Sequence, residues 1–219
     1  MNDSTKDPGS EYRFQRLTAF PPDAVRQIGA IYEVSFPANQ RKPYWIVSDA
    51  MLHGRYSVFV MSQDRGTTSE IVAFALLVPL RTSQAMYIEY LAVAPVLRGK
   101  GIGSLLWRSL VAYLKNTDSS AIVWEVDPPE KAGDDNARRI QFYERLNAHL
   151  IEQAKQYGMP NYYKGSGILP LRMMWTPLRD DPIQPTKSEL IAFITDIYET
   201  EYRGHDAIRD EIIANLDKP

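Results

Sequence analysis

Gly99, Gly101 and Gly103 stand within five positions of one another in APVLRGKGIGSLLWRSLVAYL, residues 94–114, and the stretch runs unbroken into a helical pattern. A helix N-terminus offers backbone N–H groups without partners inside the helix and the positive end of its dipole, while glycines let a bulky anion approach the backbone. That chemistry suits a pyrophosphate. Two carboxylates could move protons: Glu89 in AMYIEYLAV and Glu125 in AIVWEV. Each lies among apolar residues of a strand-like run, where desolvation raises a carboxyl group toward the range useful to a general base. The competing account is a strand glutamate that faces solvent or bonds a neighbour. His53, His149 and His205 lie too far apart to form a local ligand motif, and no metal is expected.

The turn has several readings. A Walker-type loop needs Lys followed by Ser or Thr after its last glycine, but Gly103 is followed by Ser104 and Leu105. A Rossmann-type dinucleotide turn matches Gly99 and Gly101, with Glu125 at a suitable distance for a ribose-binding acid, although the third glycine falls at Ser104. A tight turn with no ligand is the plainest account.

The elements that must position these residues follow from periodicity. EYRFQRLTAF reads as a strand stopped by Pro21-Pro22, and DAVRQIGAIYEVSF as a helix with Val25, Ile28, Ile31 and Tyr32 on one face. IVSDAMLH suits a short helix. YSVFVMSQ and IVAFALLVPL read as paired strands joined through DRGTTSE, and AMYIEYLAV as a strand leading into the glycine turn. Leu106, Leu110, Tyr113 and Leu114 recur at helical spacing before the strand AIVWEV, a βαβ order that implies parallel pairing. Asp134, Asp135 and Asn136 are N-cap candidates for ARRIQFYERL, which Asn147 can end in the left-handed conformation. Closing strands are expected at LIEQAKQY and LRMMWTPL. Thr186 and Glu189 fit a capping box ahead of Leu190, Ile194, Ile197 and Tyr198; Gly204 interrupts, and DAIRDEIIANL resumes. These last helices cover core surface or present a partner-binding face.

Composition limits the function. The 219 residues are 44% hydrophobic, enough for a substantial core, and 25 basic against 27 acidic residues give no electrostatic case for nucleic acid or an anionic membrane. The absence of cysteine removes disulfides and thiolate catalysis. MNDSTKDPGS has no apolar signal core, and no run approaches the roughly 18 apolar residues of a membrane span, so a cytoplasmic protein is expected.

The segment YIEYLAVAPVLRGKGIGSLL resembles the acetyl-CoA signature of the GNAT superfamily of N-acyltransferases, Q/R-x-x-G-x-G/A, in Arg98, Gly101 and Gly103. A second family segment places Asn near a helix start and Tyr seven residues later; Asn136 and Tyr143 have that spacing, and many members carry a Glu where VWEV places Glu125. The chain departs from the family in Asn147-Ala148, where Gly-Phe is common, in the long DPPEKAGDD connection, and in its C-terminal helices.

The resemblance implies an α/β (α+β) GNAT fold: a central mixed, mostly antiparallel twisted sheet with a parallel splayed strand pair, and helices on both faces. Residues 11–179 would form the acyltransferase domain, 180–219 a C-terminal helical extension, and 1–10 a disordered N-terminus. It also implies transfer of an acetyl or other acyl group from acyl-CoA, as cosubstrate, to a primary amine by direct attack. Leu91, Ala92 and Val93 would pair with the pantetheine amides, with the Val93 N–H toward the oxyanion. Gly99, Lys100, Gly101, Ile102, Gly103 and Ser104 would hold the pyrophosphate, Arg98 and Lys100 adding positive charge and Asn136 a further cofactor contact. An amine of lysine type is neutral at pH 7 in on the order of one molecule in a thousand, so a base is required. Glu125 is preferred, with Glu89 open, and Tyr143 would protonate the departing sulfur. FPANQRKPYW and QYGMPNYYKGSG, with Tyr157, Tyr162 and Tyr163, would border an acceptor: a small amine, a peptide N-terminus or a lysine side chain. No nucleic acid or membrane partner is expected, and a homodimer is compatible. The alternatives are an acyl-CoA sensor without turnover and the Rossmann-type protein.

Overall fold

The computed structural model describes residues 4–6, 11–38, 41–66, 68–161, 167–179 and 182–216. They fall into two compact units, Met1–Val78 with Ile88–Tyr113, and Pro79–Tyr87 with Leu114–Pro219. The class is the expected one: mixed α/β, a mostly antiparallel sheet that includes a parallel pair, and helices around it.

The strands β1 (Ser4–Lys6), β2 (Tyr12–Leu17), β3 (Ser57–Arg65), β4 (Thr68–Pro79) and β5 (Met86–Val93) follow one another in spatial order and belong to the first unit except for Pro79, Met86 and Tyr87, which belong to the second. β2 and β4 both run antiparallel to β3, whose register against β4 shifts between Met61 and Ser62. Val58–Met61 and Ile71–Val78 are buried without interruption, so both faces of these strands are covered, which is why IVAFALLV shows no polar alternation. Helix α1 (Pro22–Ser35) begins on Pro21-Pro22, where the missing N–H costs nothing, and buries Ile28, Ile31 and Tyr32. Gly29 lies on the same face because a Cβ there would stand 2.5 Å from the Tyr44 ring, the first residue of α2 (Tyr44–Leu52). Past β5 a 3₁₀ turn, Pro95–Leu97, leads through the glycines into α3 (Ile102–Leu114).

In the second unit β6 (Ala121–Val126) pairs antiparallel with β10 (Arg172–Pro177), which also pairs with β7 (His149–Leu150). Helix α4 (Asp135–Glu144) starts on Asp134, whose carboxylate accepts from the Ala137 amide at 2.7 Å, and Asn147, at φ 62°, supplies the left-handed exit expected of it. The long strand expected over LIEQAKQY is not formed. Only His149–Leu150 is extended; Glu152–Ala154 turns as a 3₁₀ helix, the Glu152 amide donating to the Gln184 side chain, and a small hairpin of β8 (Gly158–Pro160) and β9 (Ile168–Pro170) follows. The Thr186–Glu189 capping box opens α5 (Lys187–Thr200), which buries Leu190, Phe193, Ile194, Ile197 and Tyr198, and α6 (Asp206–Ala214) follows Gly204 at φ 82°. These helices therefore cover core. Ser4–Lys6, within the stretch expected to be disordered, is a strand against β2; the remainder of 1–10 lies outside the described residues.

Candidate active site

The turn after β5 is built by its own backbone. The Leu97 amide donates to Ala94 at 2.9 Å, Arg98 to Pro95 at 3.2 Å and Lys100 to Leu97 at 3.4 Å, winding the chain tightly before the helix. Gly99 and Gly101 sit at φ 75° and 82°, a region L-residues with a side chain avoid. A Cβ added at either would meet nothing within 4 Å. The glycines are thus required by conformation, and the space their side chains would fill is open. The Leu105 amide donates to the Gly101 carbonyl at 3.0 Å, the first bond of α3, so the amides of Ile102, Gly103 and Ser104 precede the helical ladder. Ile102 is buried and anchors the helix start, whereas Lys100 is exposed. Arg98 is turned toward the protein: its Nε donates to the Val93 carbonyl at 3.2 Å and its Nη2 to Ser35 at 2.9 Å.

Along β5, burial alternates so that Glu89, Leu91 and Val93 share the less buried face, with Tyr90 and Ala92 on the other. The Glu89 carboxylate is only 8% exposed and accepts from the Lys42 ammonium and the Tyr56 hydroxyl, each at 2.6 Å. Lys42 is clamped in turn: Tyr32 donates to its carbonyl at 2.9 Å, and its amide donates to the Tyr90 hydroxyl at 3.4 Å. Tyr90 meets the rings of Tyr32 and Phe36 edge-on at 4.9 and 5.1 Å, and burial pushes its phenol far up. The FPANQRKPYW segment so fixed borders an open groove of about 630 Å³ lined by Glu33, Arg41, Lys42, Tyr44, Trp45 and Ser48, in which Trp45 is 71% exposed. Asn39 and Gln40 lie outside the described residues.

In the second unit, Glu125 on β6 gathers three phenols. Tyr87 donates to Oε2 at 2.8 Å, Tyr202 to the same oxygen at 2.6 Å, and Tyr157 to Oε1. Burial raises the carboxyl group above its ordinary value and is the largest influence; the bonds from Tyr157, Tyr202 and Tyr87 act against it. Burial and the adjoining carboxylate push the Tyr157 and Tyr202 phenols far up, so these two donors stay protonated at neutral pH.

Tyr143, on α4, is buried with its ring 4.9 Å from Trp124 and 5.0 Å from Phe142, and burial pushes its phenol up to about 12. Asn136 spends its side chain on the preceding loop, donating to the Pro128 carbonyl at 3.2 Å, and so braces the long DPPEKAGDD connection. Asp134 ties down the same loop by accepting from the Glu130 and Lys131 amides, and its carboxyl is held below the usual range by the Ala137 and Lys131 backbone bonds.

The expected site residues thus divide between the two units. Leu91, Ala92, Val93, Arg98, Gly99, Lys100, Gly101, Ile102, Gly103, Ser104 and Glu89 lie on one continuous strand–turn–helix run; Glu125, Asn136 and Tyr143 lie on β6 and α4. Sequence reasoning missed Lys42 and Tyr56 on Glu89, and Tyr87 and Tyr202 on Glu125. Tyr157, expected to border an acceptor, is found bonded to Glu125. Tyr162 and Tyr163 lie outside the described residues.

Residues 25–148 match the model of the acetyltransferase (GNAT) family. An uncharacterized protein of Dictyostelium discoideum is 32% identical over 76 residues, a match spanning 34% of this chain and 17% of that protein. Among solved structures, a GNAT-family protein from Bacteroides thetaiotaomicron superposes with a TM-score of 0.61 at 23% identity, covering 91% of this chain and 95% of its own. The ribosomal-protein-S18-alanine N-acetyltransferase of Escherichia coli superposes at 0.56 and 18% identity, covering 78% and 96%. An aminoglycoside 6'-N-acetyltransferase complexed with coenzyme A gives 0.56 and 14%, covering 77% and 98%. At these identities the likeness is one of fold.

Proposed function

The chain belongs to the GNAT acetyltransferase family, and from that premise we propose that it moves an acyl group from acyl-CoA to a primary amine. The observation that carries this reading is the glycine turn: two glycines at positive φ, open space where their side chains would be, and the amides that open α3. An anion such as the CoA pyrophosphate fits there, held by Gly99, Lys100, Gly101, Ile102, Gly103 and Ser104. Arg98 braces the loop through Val93 and Ser35, and Lys100 adds a second exposed charge. Bound acyl-CoA supplies the thioester.

The chain's own residues then divide the work. Leu91, Ala92 and Val93 offer backbone to the pantetheine amides as a neighbouring strand would, and the Val93 N–H meets the charge developing on the carbonyl oxygen. Glu125 takes the proton of the attacking amine. It is preferred to Glu89 because Glu89 already carries a resident ammonium, Lys42, whereas Glu125 is ringed by neutral phenols and its carboxyl is raised by burial. Tyr143, protonated well past neutrality, gives its proton to the departing sulfur. Asn136 shapes the loop ahead of that tyrosine. The neighbours named for an alanine and for an aminoglycoside are both N-acetyltransferases, which favours an amine acceptor; the groove at Arg41, Lys42 and Trp45 is its proposed border.

The deciding experiment incubates the protein with acetyl-CoA and longer acyl-CoAs against small amines, polyamines and peptides, following thiol release. In parallel, CoA at a hundredfold excess over its dissociation constant should stabilise the fold by about 2.7 kcal/mol. A melting shift with NAD(P)H and none with CoA would overturn the reading. A CoA shift without thiol release on any acceptor would favour a sensor.

A further inference from the structure

Helices α5 and α6 bury apolar faces, but the residue just past α5 does more than cover core. The Tyr202 hydroxyl donates to Glu125 Oε2 at 2.6 Å from 77 residues away in the chain. Its backbone is held at both sides: the Tyr202 amide donates to Tyr198 at 3.2 Å, and the His205 amide donates to the Tyr202 carbonyl at 3.3 Å. The helix that carries it is pinned in turn. Asp196, 3% exposed, accepts from the Thr82 amide at 3.0 Å and from the Ser83 amide and hydroxyl at 2.8 Å each, and Tyr198 donates to the Gly158 carbonyl at 2.7 Å. Tyr198 and Tyr202 meet edge-on at 5.2 Å. The phenol is delivered to Glu125 by a rigid mount.

The pattern of donors is asymmetric. A carboxylate offers about four lone-pair positions, two on each oxygen. Oε2 accepts from both Tyr87 and Tyr202, which fills it; among the described residues Oε1 accepts from Tyr157 alone, which leaves it one position. We propose that Tyr202, contributed by the C-terminal extension, is a positioning residue for acyl transfer: with Tyr87 and Tyr157 it fixes the Glu125 carboxylate so that Oε1 takes the acceptor's proton. The proposal rests on the reading of Glu125 as the base. In the step itself an N–H bond of the acceptor ammonium breaks, an O–H bond forms on Oε1, and the nitrogen keeps the electron pair with which it attacks the thioester carbonyl. The three phenols keep their protons throughout.

The groups facing Glu125 are Tyr87 from β5, Tyr157 ahead of β8, and Tyr202 and Glu201 after α5; its partner across β10 is the uncharged Met173. Burial and the Glu201 charge favour the protonated carboxyl, and the phenols oppose them. Loss of one phenol therefore moves the titration upward.

The test is Tyr202→Phe in the full chain, with Tyr198→Phe, one turn earlier on α5, as the matched change. The carboxyl titration of Glu125 is read by ¹³C NMR as the glutamate resonance missing from Glu125→Gln, and needs no turnover. Tyr202→Phe should raise that titration by about one pH unit, and the acidic limb of kcat/KM should move with it while Tyr198→Phe moves neither. An unmoved carboxyl in Tyr202→Phe, or an equal movement in Tyr198→Phe, overturns the positioning role. If the carboxyl moves while the limb stays put in both Tyr202→Phe and Glu125→Gln, the base assignment is what fails and the positioning role falls with it.

Discussion

The Lys42 ammonium lies 2.6 Å from Glu89 Oε1, with the carboxylate 8% exposed and the lysine 37% exposed. One partner of the pair is therefore far more desolvated than the other. Removing the lysine should hurt more than removing both charges, because a nearly buried carboxylate would lose its counter-ion. Lys42→Met is expected to cost about 1–3 kcal/mol in urea unfolding. Adding Glu89→Gln should recover part of that. A double variant less stable than Lys42→Met would show that the pair does not act this way.

The glycine turn makes a separate prediction about ligand binding. A Cβ at Gly101 meets nothing within 4 Å, so Gly101→Ala adds no clash; its penalty is the φ of 82°, about 1–2 kcal/mol for an L-residue in the left-handed region. The variant should fold. It should also lose most of the thermal shift produced by CoA, because the added methyl stands in the space a phosphate needs. Normal CoA binding by a folded Gly101→Ala would place the pyrophosphate elsewhere.

Local chemistry was readable where one segment sets its own conformation. The turn at Gly99 and Gly101, Asn147 in the left-handed region and the Thr186–Glu189 capping box are all decided within a few residues, and each is found. The strand expected over LIEQAKQY does not form because its apolar residues suit several conformations, and the bond the Glu152 amide donates to the Gln184 side chain fixes the turn from 32 residues away. The surroundings of Glu125 were illegible for the same reason. Its phenols arrive from 32, 38 and 77 residues away, and no local spacing marks Tyr157, Tyr87 and Tyr202 as partners. The pairing of Glu89 with Lys42, 47 residues apart, is likewise a product of tertiary folding.

Glu125 also predicts a direction for stability against pH. Its folded carboxyl titrates above the ordinary value of 4.5, so the folded protein binds more protons than the unfolded chain over the interval between the two. The associated stability is fully present below the unfolded value and is lost as pH rises through the folded one. Wild type should therefore lose stability relative to Glu125→Gln as pH rises from about 4.5 toward neutrality. Urea midpoints of the two proteins measured across that range check the sign; a difference that is flat or grows in favour of wild type contradicts it.

Tyr143 is buried against Trp124, and its phenol is pushed up to about 12 by desolvation, with Arg139 pulling weakly the other way. Tyr143→Phe keeps the ring in that packing and removes only the hydroxyl, so the melting temperature should stay close to wild type. If Tyr143 protonates the sulfur, kcat should fall on the order of a hundredfold. The pH profile gives the sharper reading. An acid that titrates near 12 stays loaded throughout the accessible range, so the wild-type rate should have no descending limb between pH 7 and 10 that disappears in the Phe variant. The variant should instead lose rate by a constant factor across that interval. A Phe variant with wild-type kcat would return Tyr143 to a purely packing role, and a descending limb present only in wild type would mean that the phenol titrates far below the value its burial sets.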